Sequence, residues 1–213
     1  VQYIDDDLFG YMDATAGEEG KKGKTKKRTS PVRVSPLVAM EPYQGDLDFG
    51  TNYMSVKAGG DPNIFETEIH GGLYRGTILV ELDRVGAGDG FDAAVPAEKK
   101  VERLEALLDS LQSLWSSGRQ SRFLADLTPK FVAAALTTTK APIFLESVRV
   151  KGQKLDGEVL QEILEDYRAV VLEAVIGVRS GLFEGVPEDA QTIGNAFETM
   201  KGWVRGCFAS TGE

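Results

Sequence analysis

The chain contains one cysteine, Cys207, and one histidine, His70. A single thiol closes no internal disulfide, and the pair furnishes neither a multi-cysteine nor a histidine-rich metal site. No apolar run approaches the roughly 18 residues that a membrane-crossing helix needs. The opening residues VQYIDDDLFGYM hold neither the basic n-region nor the apolar h-region of a secretory leader. No membrane contact and a reducing cytoplasm are therefore expected. Net basicity is also missing: 33 Asp and Glu outweigh 24 Lys and Arg, for a formal charge of −9, the reverse of the usual nucleic-acid-binding footprint. VGAGDGFDAAVP at 85–96 lacks both G-x-x-x-x-G-K-[ST] and a G-x-G-x-x-G turn opening a helix, so it reads as a loop and not a nucleotide cradle.

What is present is 213 residues with 42% hydrophobic content, enough for one domain, or one domain with an insertion, to bury a core. The positive charge is segregated. Lys21, Lys22, Lys24, Lys26, Lys27, Arg28 and Arg33 fall in one short segment, and screening confines each field to about 8 Å at physiological salt. A local basic strip can therefore hold a phosphate backbone on an acidic protein. Composition makes GEEGKKGKTKKRT, residues 17–29, a mobile loop, either merely solvated or ordered by phosphate contact.

Two runs read as strands, Pro31 to Met40 and Leu73 to Leu82, the second enriched in β-branched and aromatic residues. The connection between them, Glu41 to Gly72, exceeds the 12–15 residues beyond which a loop is usually functional or disordered. It carries Tyr43, Phe49, Tyr53, Met54, Ile64 and Phe65 among several glycines, apolar anchors that pack either internally or on something else. His70 beside Ile69 reads as a hydrogen-bonded structural residue with no evident partner. Asp46 and Asp48, in GDLDFG, are either turn residues bonding to their own backbone or an acid pair.

Past Pro96, AEKKVERLEALLDSLQSLWSS places Val101, Leu104, Leu107, Leu108, Leu111, Leu114 and Trp115 on a helical stripe that stops at Gly118. GRQSRFLADLTPKF follows, with Arg119, Arg122 and Lys130 available to phosphates or to neighbouring carboxylates. PIFLESVRV, 142–150, reads as a third strand, and LQEILEDYRAVVLEAVIGV, 160–178, as a long amphipathic helix. Trp203 and Phe208 pack either on that helix or on a neighbouring subunit. The order strand, loop, strand, helix, strand matches a ferredoxin-like unit without its first β-α. The expected fold is α+β in three parts: 1–30, the end of a helical insertion plus a basic loop; 31–150, the core with its insertion at 41–72; and 151–213, helical.

Four phrases in order, DDDLFGYM, RTSPVRVSPLVAMEPYQGDLDFGTNY, FETEIHGGLYRGTILVELDRVG and GRQSRFLADLTPKF, resemble the backbone subunit of type I CRISPR Cascade complexes in its DevR/Cst-type branch, type I-B. The resemblance spans residues 5 to 150. It implies an RRM-like (ferredoxin-like) core, crRNA binding in a head-to-tail filament of copies of the chain, and target DNA and the other Cascade subunits as partners. It also implies that the insertion is a thumb crossing the RNA, with Tyr43, Phe49, Tyr53 and Met54 as its contacts. RNA-binding candidates are Lys26, Lys27, Arg28, Arg33, Lys57, His70, Arg75, Arg119 and Arg122. In that family, residues upstream of this start supply the first core strand, so an uncovered strand edge is expected here. No catalytic residue, cofactor or metal is expected. The alternatives are a type III-like subunit that cleaves target RNA through Asp46 or Asp48 with a metal, and a DNA-binding regulator, for which no helix-turn-helix pattern is visible.

Overall fold

The computed structural model describes residues 1–15, 24–61, 63–118 and 124–209. They divide into two compact units, one formed by 1–36 with 77–213 and the other by 37–76.

The larger unit begins with α1 (Ile4–Phe9), whose first turn carries Asp5, Asp6 and Asp7, a favourable match to the helix dipole. Gly10 ends the helix at φ +73°, and a Cβ there would lie 2.4 Å from the Arg28 carbonyl oxygen. Only glycine meets both demands. β1 (Tyr11–Thr15) then pairs antiparallel with β2 (Lys24–Arg28), setting Asp13 opposite Lys26 and Tyr11 opposite Arg28. The lysine-rich segment is thus a strand from residue 24 onward, not the expected loop. An opposite-charge cross-strand pair and a buried arginine outweigh its unfavourable composition. β3 (Val32–Val34) closes this part.

The smaller unit contains β4 (Val38–Ala39), β5 (Gly45–Thr51), α2 (Tyr53–Lys57), β6 (Ile64–His70) and β7 (Tyr74–Arg75). β5 and β6 form an antiparallel hairpin running from Gly45 opposite His70 to Thr51 opposite Ile64, and β4 pairs with β7. Thr67 is the only buried residue among those described here.

The chain re-enters the larger unit at β8 (Ile78–Val80), antiparallel to β3. A single 3₁₀ turn at Leu82–Arg84 leads on to α3 (Ala97–Gln112). α3 buries Leu104 and Leu107 against Leu8, Val32, Val85 and Val204, with Val101, Leu108, Leu111 and Phe208 around them. The helix stops short of its expected end. Ser113 bonds back to the Asp109 carbonyl through both its amide, 3.1 Å, and its hydroxyl, 2.7 Å. Leu114 and Trp115 lie beyond it, 44% and 69% exposed.

β9 (Phe131–Thr137) follows, in a segment whose alanines carry little strand preference and give no expectation of a strand. PIFLESVRV is instead a run of turns, with Leu145 N–H donating to the Pro142 carbonyl and Ser147 N–H to that of Phe144. Strand structure resumes only at β10 (Val150–Lys151), which pairs with β11 (Lys154–Leu155). α4 (Gly157–Asp166) ends far earlier than the expected long helix. Val171–Val178 is β12, antiparallel to β9 and parallel to β13 (Gln191–Thr192). The β-branched run in VVLEAVIGV favours a pleated, covered strand, and Val175 and Ile176 are buried as a central strand requires. α5 (Ile193–Ala209) lies on this sheet so closely that a Cβ on Gly177 would sit 2.6 Å from that of Ala196. The part after residue 150 is therefore mixed, not purely helical. It shares its sheet and core with what precedes it, and Phe208 packs on that core. Among the described residues, hydrogen bonds do not join the β3–β8 ladder to the β9–β12–β13 sheet. No helix among them is long and apolar enough to cross a membrane.

Candidate nucleic-acid interface

Lys26 and Lys27 stand exposed on β2. Arg28, the next residue, does not. Its guanidinium is buried, pairs with the buried Asp7 carboxylate, and donates to the carbonyls of Asp7, Ala87, Asp89 and Arg84 at 2.8–2.9 Å. Asp7 also accepts from Arg103 at 2.6 Å and the Gly86 amide at 2.9 Å. With its donors directed inward, Arg28 is a structural tie and not an RNA contact.

Arg33, on β3, is 59% exposed at its side chain and donates from Nε to Glu81 at 2.8 Å. Glu81, just past β8, is almost wholly covered, and Lys140 reaches its other oxygen at 2.8 Å. Arg84 Nη1 lies 3.4 Å from it and Nη2 donates to the Thr29 carbonyl at 2.8 Å. Lys140 first, then Arg33, holds the Glu81 carboxyl down at about 2, against the opposing effect of burial. A folded-state value below the ordinary 4.5 means that this stabilisation is complete above about pH 4.5 and is lost as pH falls toward 2. Glu81→Gln is expected to flatten that acid limb in urea midpoints followed from neutral pH to about pH 3. An unchanged limb would mean that other carboxylates set it. Sequence reading missed this cluster because Lys140 is 59 residues from Glu81. Its one local signal was an acidic residue ending the apolar run Ile78–Val80.

In the smaller unit the ladder register places Leu47 and Phe49 on one face of the hairpin with Ile64, Glu66, Glu68 and His70, and Asp46, Asp48, Phe65 and Ile69 on the other. Tyr43 stacks on His70 with ring centroids 4.8 Å apart and donates to Glu68, which raises the pKa of its hydroxyl. His70 Nδ1 bonds to the Tyr74 hydroxyl. His70 therefore has partners, and Tyr43 belongs to a local aromatic cluster and not to a free tip. Phe49, Tyr53 and Met54 are 65%, 62% and 71% exposed. The Phe65 ring covers Gly50, where a Cβ would meet it at 2.4 Å. Lys57 lies over the Tyr53 ring at 5.3 Å, and Arg75 sits on β7 opposite Val38. Asp46 accepts from the Leu47 amide at 3.0 Å, a bond to neighbouring backbone. Both aspartates are on a regular strand, not the expected flexible loop. Among the described residues no group of three or more His, Cys, Asp or Glu could hold a metal.

The larger unit thus collects Lys26, Lys27 and Arg33, and the smaller one Lys57, His70, Arg75, Tyr43, Phe49, Tyr53 and Met54. Arg119 and Arg122 lie outside the described residues. Nearby, Lys130 pairs with Asp126, which Arg179 also meets at 3.1 Å, so for Lys130 the carboxylate alternative is the one observed.

The described residues thus form an α+β chain with an exposed basic strand in one unit and, in the other, exposed aromatic residues. The chain belongs to the CRISPR-associated negative auto-regulator DevR/Csa2 family, whose model matches residues 1–158. It is 29% identical over 216 residues to the CRISPR-associated protein Cas7/Cst2/DevR of Myxococcus xanthus (strain DK1622), covering 98% of this chain and 67% of that protein. Its fold is similar, at TM-score 0.58 and 16% identity, to a chain of a CRISPR RNA-guided surveillance complex in its pre-nicking state. That match covers 96% of this chain, which spans 56% of the solved one.

Proposed function

We propose that this chain is a non-enzymatic backbone subunit of a Cascade-type complex, type I-B, that polymerises head to tail along crRNA in the cytoplasm and supports guide-directed binding of target DNA. Its core is proposed to be RRM-like on the succession β3, β8, α3 and β9, with β9 taking the place of the strand expected at 142–150. The observation that carries the proposal is the smaller unit: a hairpin with no buried apolar residue among those described, exposing Phe49, Tyr53 and Met54. Its charges, Lys57 and Arg75 against Glu41, Asp46, Asp48, Asp61, Glu66 and Glu68, repel phosphates. Bases stack on aromatic rings whatever the charge. The hairpin therefore engages bases while the cations of the larger unit hold the backbone. The absence of catalysis is inferred from Asp46, which is tied to backbone, and from a nuclease's need for convergent ligands or an acid and base within reach of one phosphate.

The chain co-expressed with a CRISPR array and its partner subunits is expected to co-purify with RNA of uniform length. Added complementary RNA is expected to stay intact with Mg²⁺, and Asp46→Ala with Asp48→Ala to leave DNA binding nearly unchanged. RNA-free protein would overturn the backbone role. Regular Mg²⁺-dependent cuts that vanish in the double variant would show a type III-like nuclease.

A further inference from the structure

We infer that Arg33, Arg84 and Lys140, gathered around Glu81, form one contact site for a phosphodiester of single-stranded RNA. The inference rests on the RNA-binding reading above and assigns it residues from three separate segments, β3, the turn after β8 and the loop after β9. Glu81 is 4% exposed at its side chain, whereas Arg33 and Lys140 are 59% and 54% exposed. The carboxylate therefore lies beneath while the cationic heads reach solvent.

Their donors are not used up. Arg33 spends Nε and Nη2 on Glu81, and its Nη1 bonds to no other group among the described residues. Lys140 directs two of its three N–H bonds, one to Glu81 at 2.8 Å and one to Asp83 at 2.9 Å. Three cations against two carboxylates leave one positive charge, the amount one phosphodiester neutralises. Compensating a covered carboxylate needs one cation; gathering three provides charge for an anion from outside. Glu81 is the positioning residue. It fixes Arg33 and Lys140 beforehand, so binding RNA costs less side-chain entropy.

The test is the affinity of the full chain for a single-stranded RNA oligonucleotide of guide length, measured by fluorescence anisotropy across a KCl series. Lys140→Ala is expected to reduce the slope of log affinity against log salt by roughly 0.7, the value of one neutralised phosphate. Lys140→Arg is expected to restore it. Weaker affinity at an unchanged slope would make the cluster a structural ion network only and overturn the inference, while RNA binding by the unmodified chain would keep the broader reading standing. An unmodified chain with no RNA affinity would overturn both. If Lys140→Ala loses cooperative unfolding, Arg33→Gln carries the same test with the same two outcomes.

Discussion

Arg28→Ala costs the folded state about 3–5 kcal/mol, the range for removing one partner of a buried ion pair. Total stability is typically only about 5–15 kcal/mol. The substitution strands the Asp7 carboxylate with Arg103 and the Gly86 amide, and it deprives four backbone carbonyls of a donor. It also removes the cation held 4.8 Å from the centre of the Phe91 ring. Arg28→Lys does not rescue, because an ammonium cannot reproduce the planar fork that reaches these acceptors together. Lys26→Ala with Lys27→Ala moves stability by no more than about 0.5 kcal/mol per site, as exposed substitutions do. Under the proposed RNA-binding role, the same pair is expected to lower the salt slope by roughly 0.7 for each phosphate left without its cation. Urea denaturation beside RNA titration separates the two classes. An Arg28→Ala protein with a normal midpoint and a reduced slope would return this residue to the RNA surface.

Under the proposed backbone role, removing the centre of the smaller unit, Tyr53 to Ile64, is expected to abolish or shorten RNA-bound assemblies while the larger unit keeps its cooperative unfolding. The excised residues include Tyr53, Met54 and Ile64, which are 62%, 71% and 74% exposed, so little burial is forfeited. Stacking on aromatic side chains is worth about 1–3 kcal/mol per base, and in the proposed head-to-tail assembly each copy would add its own share. Calorimetry of the free chain and electron microscopy of RNA-bound particles read the two effects. A broadened, non-cooperative transition with no assembly defect specific to the deletion would place the hairpin in the fold and not in the grip.

The helix of residues 97–112 was legible because its leucines recur at helical spacing and face one core. The two strand-like runs at 31–40 and 73–82 were legible in kind, though each is broken into two short ladders. The strands at 131–137 and 171–178 were not. The first is alanine-rich, and the second continues the apolar spacing of the preceding helix, so that it also fits a helix. Only their pairing with each other decides the matter, and a single sequence does not display pairing. The same limit applies to the cations. Arg28 and Lys27 are indistinguishable as neighbours in a basic run, and what separates them is Asp7, 21 positions away. The local aromatic cluster of Tyr43, His70 and Tyr74 depends likewise on hairpin register.

Val204, near the end of the last helix, shares one hydrophobic cluster with Leu8, near the beginning of the chain. A ribosome adding about 5–20 residues per second must therefore expose Leu104 and Leu107 for the seconds it takes to synthesise the intervening hundred or so residues. Leu8, Leu104 and Leu107 therefore gain their Val204 contact only once the helix of residues 193–209 has left the ribosome.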